Sequence, residues 1–220
     1  MNTINRKLSI IFKMIIICTC FFGQILNFIT GDIGLGTFLY FTNLSNIFCL
    51  VYFTIELLFI LFKLNYPKFA RFKGTVVMSI TVTMLVFWLI LNNSTFAMGD
   101  STNTYPSGFL QELSNYIVHL IVPLLVIFDW LLFDKKGKYK IKDPIIWEAI
   151  PLIYYVFTIV IAQTGYRFYG GGRYPYFFIN PDVVGVFGVI KYVLVLIIVF
   201  LVLGYIVVFI DYLLGKIKIK

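Results

Sequence analysis

Charge is scarce in this sequence. Only 13% of its 220 residues are Asp, Glu, Lys or Arg. That is about half the share found in soluble domains, and it excludes a water-facing surface wrapped around a core. Histidine is scarcer still, a single residue at position 119, and no residue spacing fits a metal site. The three cysteines, Cys18, Cys20 and Cys49, lie in apolar runs and read as small apolar fillers. Internal repeats and low-complexity segments are absent as well.

What is present is hydrocarbon. Hydrophobic residues make up 60% of the chain, against about 45–50% in soluble proteins. Windows of about 18 or more apolar residues mark membrane-spanning helices. Six are read here, over residues 8–29, 37–62, 75–91, 112–133, 144–163 and 183–214. At about 1.5 Å per residue, each can cross a hydrocarbon core of about 30 Å. The last is long enough to tilt or to extend past the lipid. The expected fold class is an all-α integral membrane bundle of six transmembrane helices, one domain over residues 1–220 with no room for a soluble domain.

The net charge of +8 is arranged for topology rather than for nucleic acid. Arg6 and Lys7 precede helix 1; Lys63, Lys68, Arg71 and Lys73 follow helix 2. Lys135, Lys136, Lys138, Lys140 and Lys142 follow helix 4, and Lys216, Lys218 and Lys220 close the chain. The alternate loops hold only Arg167 and Arg173. This positive-inside pattern predicts both termini in the cytoplasm of a cell membrane, with attraction to anionic lipid. Helix 1 starts like a signal peptide, but no small-residue cleavage pattern follows it, so it reads as a retained span.

The two loops expected outside are long, which in a compact protein points to function or disorder. One, residues 92–111, is rich in Ser, Thr, Asn and Gly. The N-glycosylation pattern matches at "NLS" (residues 43–45), "NNS" (92–94) and "NST" (93–95), and carries meaning only in a eukaryotic source. The other, residues 164–182, mixes aromatic residues with the Gly170–Gly172 triplet. It reads either as an interfacial aromatic belt or as a lid over an outward-facing site.

Polar side chains are costly in lipid and normally face the bundle interior. On helix 2, Thr42, Ser45, Asn46 and Cys49 stand at i, i+3, i+4 and i+7, one stripe. Glu112, Asn115 and His119 form a stripe on helix 4, followed by Pro123. Pro123 has no N–H for the His119 carbonyl, so a bend and a free carbonyl are expected there. Thr42, His119 and Lys191 lie at matched depths near the outer ends of their helices, with Gln24, Asn27, Asn92 and Gln163 nearby in depth. Asp129 is expected to pair with the basic inner loop and Glu56 with Lys63 or another helix.

Imidazole is the commonest general base, and a threonine hydroxyl becomes a nucleophile when a base takes its proton. His119 and Thr42 could form that pair. Threonine in a membrane helix also bonds its own backbone, and a buried histidine also links helices, so the structural reading stands beside the catalytic one. Lys191 could attract a ligand carboxylate or snorkel to the interface.

Two segments carry a resemblance. "YFTNLSNIF" (Tyr40–Phe48) and "LSNYIVHLIVPLLVIFDWLLFD" (Leu113–Asp134) resemble matching helices in a family of small multi-span membrane proteins. Its eukaryotic branch holds the androgen-induced and androgen-dependent transmembrane proteins, described as threonine hydrolases of fatty-acid esters of hydroxy fatty acids. The resemblance implies Thr42 as nucleophile and His119 as base, and fixes no metal or cofactor. No third catalytic group is matched.

Three functions are weighed. The first is an intramembrane lipid-ester or fatty-acid ester hydrolase, with Asn46 and Asn115 as oxyanion or orienting donors and Lys191 holding a substrate carboxylate. The second is a transporter or binding protein for a lipid or amphiphile, although only one bent helix and no repeat are seen. The third is an accessory subunit whose polar residues join helices. Membrane lipids are the expected partners, and no cofactor is expected.

Overall fold

The computed structural model describes residues 3–30, 34–65, 67–92 and 108–217. Among these residues the fold is helical throughout, without a strand. Six helices are long and apolar enough to cross a membrane. They are α1 (Asn5–Thr30), α2 (Phe41–Leu61), α3 (Lys68–Leu91), α4 (Phe109–Phe133), α5 (Asp143–Gln163) and α6 (Pro181–Lys216).

Helices α1 to α4 form the centre: α1 packs on α2 and α4, and α3 packs on α2, α4 and α5. In α3, 56% of the apolar window is buried against other helices, and in α6 only 17%. So α3 is the central helix, and α6 is an outer one that shows most of its surface to its surroundings. Without a hydrophobic force between helices in lipid, small residues set how closely backbones approach. A Cβ on Gly74 of α3 would lie 2.3 Å from the Trp147 ring of α5. One on Gly23 of α1 would lie 2.6 Å from Ile117 of α4. Both contacts exist only because the residue is glycine.

One end of the bundle is basic. There Arg6 donates to the Ile60 carbonyl at 2.8 Å, and Lys138 to the Ala70 carbonyl at 2.9 Å. Gly137 N–H, after α4, meets the Asp211 carbonyl of α6 at 3.1 Å. Just inside this end lies a buried charge cluster. Lys13 Nζ is 2.8 Å from Asp129 and 3.5 Å from Glu56. Lys73 Nζ is 3.2 Å from Glu56 and 2.7 Å from Asp134, and also pairs with Asp129. Lys138 closes on Asp134. Charges taken out of water persist only when paired, and here opposite charges from α1, α2, α3 and the end of α4 pair with one another.

This cluster corrects two expectations and bears out a third. Asp129 bonds Lys13 and Lys73 rather than the basic loop after α4. Glu56, expected on Lys63 or another helix, bonds Lys13 of α1 and Lys73 of α3. Lys73, read as loop, is inside a helix. The third span was expected from residue 75 but begins at Lys68, because Lys73 and Arg71 have carboxylate partners. Arg71 Nε is 3.1 Å from Asp143 of α5. The second span was expected from residue 37 and begins at Phe41, because Gly34–Leu39 forms a 3-10 turn. Residues 93–107, most of the Ser/Thr-rich loop, lie outside the described residues.

Candidate functional site

At the far end of the bundle the 3-10 turn delivers the chain into α2 at Phe41, so Thr42 lies in the first turn. The first N–H groups of a helix have no partner within it. Here the Phe41 N–H donates to the Tyr176 hydroxyl at 3.1 Å. Tyr176 belongs to the aromatic segment between α5 and α6. Its ring stacks on Phe178 (centroids 5.4 Å, 3° between planes) and meets Tyr40 edge-on. Tyr154 packs beside it, ring centroids 6.3 Å apart, and gives its own proton to the Leu39 carbonyl at 3.1 Å. Burial raises the Tyr176 pKa above the usual tyrosine value, against the opposing pull of the neighbouring Thr42 and Tyr154. The phenol is therefore neutral and remains a donor.

His119 faces Thr42 from α4, with Nε2 at 3.1 Å from Thr42 Oγ1. Its Nδ1 is 3.1 Å from the Asn115 carbonyl. A carbonyl only accepts, so Nδ1 carries the ring proton and the Nε2 lone pair faces the hydroxyl. Thr42 then donates to Nε2. The ring is 7% exposed and stacks on Phe87 of α3 at 3.7 Å.

The helices on either side widen at this level. Phe87–Leu91 ends α3 in a π turn, and Ile117–Ile121 forms another within α4. Pro123 accounts for the second, since it offers no N–H to the preceding turn. The carbonyl expected to be free at His119 is not free: Trp88 Nε1 donates to it at 3.1 Å. The Val118 carbonyl accepts from Asn46 Nδ2 at 3.1 Å. The π turn, a feature that often occurs at functional sites, thus fixes the histidine through side chains of both neighbouring helices.

Thr42 and His119 are the two expected residues that come together. Asn46 is spoken for: its Nδ2 donates to the Thr42 and Val118 carbonyls, and the residue is fully buried. It anchors the Thr42 backbone and has no N–H to spare for an oxyanion. Asn115 contributes its main-chain carbonyl, while its side chain is exposed. Lys191 is exposed on α6 and lines no part of the cleft described next. It is therefore not placed to hold the carboxylate of a chain lying in that cleft. The neighbouring stripe residue Ser45 bonds Thr83 of α3 at 2.7 Å, and Asn43 accepts from Asn27 of α1 at 2.8 Å. Tyr176, Trp88 and Phe87 were missed. In a chain that is 19% aromatic, no local pattern separates these three from the rest.

A cleft of about 700 Å³, open space at its mouth included, runs from Thr42 between α3, α5 and α6. Its walls are Val82, Val86, Leu152, Leu196 and Phe200, with Thr42 and Tyr176 at one end and Glu148 towards the basic end. Among the described residues no group of three His, Cys, Asp or Glu side chains could hold a metal ion. The chemistry on offer is a partly buried hydroxyl–imidazole pair at the head of an apolar slot. Comparison with family models, with characterised proteins and with solved structures finds no match to this chain.

Proposed function

We propose that the protein is an intramembrane ester hydrolase for acylated lipids, with Thr42 as nucleophile and His119 as general base. One observation carries the reading: Thr42 Oγ1 lies 3.1 Å from His119 Nε2 while the Asn115 carbonyl holds Nδ1. A hydroxyl donating to an imidazole whose other nitrogen is fixed is the arrangement that activates a weak oxygen nucleophile.

In the reaction, Thr42 Oγ attacks the ester carbonyl as its proton passes to His119 Nε2. The oxyanion develops beside the start of α2, where the positive end of the helix dipole favours negative charge. Tyr176, whose hydroxyl accepts the Phe41 N–H at that point and lines the cleft beside Thr42, is the side chain able to donate there in place of Asn46 and Asn115. His119 returns the proton to the leaving alcohol, and an acyl-threonine remains. Water then attacks the acyl group as it gives a proton to Nε2, and His119 passes that proton to Thr42 Oγ as the acid leaves. The apolar cleft holds the acyl chain.

The distribution of Lys and Arg supports a cell-membrane topology with both termini in the cytoplasm. Thr42 then lies near the outer face, where water is at hand. The test is labelling of the purified protein by a fluorophosphonate, paired with hydrolysis of acyl esters. Wild type should label, Thr42→Ala should not, and His119→Ala should hydrolyse about 10²–10⁴-fold more slowly. Labelling of Thr42→Ala at the wild-type rate would defeat the assignment. Saturable lipid binding with no labelling would turn the reading towards a binding or transport protein.

A further inference from the structure

The cleft that starts at Thr42 does not end on hydrocarbon. Glu148 lines it at the other end and is 7% exposed; its main chain bonds Pro144 and Leu152, but its carboxyl has no hydrogen bond or ion pair among the described residues. The acidic residues of the charge cluster, by contrast, all have lysine partners, and Asp143 has Arg71. A carboxyl without a protein partner at the end of an apolar cleft carries a desolvation cost that no bond in this fold offsets. Its position is set by Pro151, one turn further on, which has no N–H for the Trp147 carbonyl. Helix α5 is interrupted there, between Asp143–Trp147 and Ala149–Gln163.

The span from Glu148 to the catalytic end can be read along α5. Tyr154 lies at that end, its ring 5.1 Å from Phe41 and its hydroxyl on Leu39. Tyr154 is six positions after Glu148, about 9 Å along the helix axis at a rise of about 1.5 Å each. A chain whose carbonyl sits at Thr42 would thus pass between Val82, Leu152 and Leu196 and bring its distal carbons to the carboxyl.

We infer that the cleft selects acyl chains carrying a hydrogen-bond donor, a hydroxyl or an amine, on carbons distal to the carbonyl, and that Glu148 receives that donor. The inference rests on the cleft being the acyl site of the proposed hydrolase. A chain ending in carboxylate is disfavoured, because Glu148 is itself an acid and no described lysine lines the cleft.

Binding can be read without turnover in full-length Thr42→Ala protein, reconstituted in nanodiscs. The probes are a medium-chain acyl methylamide and the same chain ending in a hydroxyl, a primary amine or a carboxylate. The hydroxyl-ended chain should bind about tenfold more tightly than the methyl-ended one, the amine-ended chain more tightly still, and the carboxylate-ended chain weakest. Adding Glu148→Leu should abolish both preferences and leave methyl-ended binding intact. Adding Glu148→Gln should retain the hydroxyl preference and lose that for the amine, which separates acceptance of a neutral donor from charge pairing. Equal binding of all four chains, or preferences that survive Glu148→Leu, would overturn the inference. These readouts do not involve the Thr42 hydroxyl. A protein that binds with this selectivity yet never labels with fluorophosphonate supports the Glu148 assignment and defeats the hydrolase.

Discussion

Removing the Lys73 charge should destabilise the bundle more than most single changes in its interior. The buried cluster holds three acids, Glu56, Asp129 and Asp134, and three lysines, Lys13, Lys73 and Lys138. It is neutral as a set. Lys73 is the one lysine among them that touches all three acids, and its side chain is 0% exposed. Lys73→Met keeps the length of the side chain and its packing beside the Phe53 ring, which Nζ approaches to 5.1 Å. It leaves one uncompensated negative charge. Breaking a buried pair by deleting one partner costs about 3–5 kcal/mol. In a chain of 220 residues, about 1 kcal/mol moves Tm by about 2–4 °C, so the expected drop is about 6–20 °C. Thermal unfolding of the detergent-solubilised protein, followed by tryptophan fluorescence, measures it. Adding Asp129→Asn restores neutrality, with Lys13 on Glu56 and Lys138 on Asp134, and should recover much of the loss. A drop of less than about 2 °C in Lys73→Met, below 1 kcal/mol on the same scale, would refute the claim that the cluster is held by charge balance. So would a double variant less stable than the single one.

Two further outcomes follow from the same geometry. Tyr176→Phe removes one donor beside the Thr42 hydroxyl while leaving the ring stack on Phe178 in place. Hydrolysis should slow by about 10²-fold in kcat with KM little changed, and an unchanged kcat would remove Tyr176 from the oxyanion site. Acid should destabilise the protein through Asp134. Burial raises this carboxyl's pKa, but Lys73 and Lys138 outweigh it and hold the carboxyl below its ordinary value. A carboxyl depressed in the fold stabilises it above the unfolded pKa, and that contribution is lost as pH falls through the folded value. Tm should therefore hold to about pH 5 and fall below about pH 4. Asp134→Asn should lower Tm at neutral pH and flatten that acid slope; an acid slope identical to wild type would show that Asp134 does not carry it.

Composition and periodicity alone determined that the chain is a bundle of six apolar helices. Lipid-length apolar runs have almost no other solution, since each must satisfy its own backbone. The stripe on α2 and the lone histidine before Pro123 were also legible, because helical spacing puts i, i+4 and i+7 on one face whatever the neighbours do. What those residues touch was not legible. Lys73 read as loop because a lysine flanking an apolar run looks solvated. Only the packing of α1, α2 and α4 around α3 shows it three carboxylates. Asn46 and Asn115 read as free donors, and tertiary contact assigned one to carbonyls of α2 and α4 and reduced the other to its backbone oxygen. Tyr176 lies 134 positions from Thr42, and Glu148 lies in a different helix from both. Local sequence fixes helix and face, whereas the meeting of side chains far apart in the chain depends on how the helices cross, and that is set by contacts such as Gly74 on Trp147, which no single segment contains.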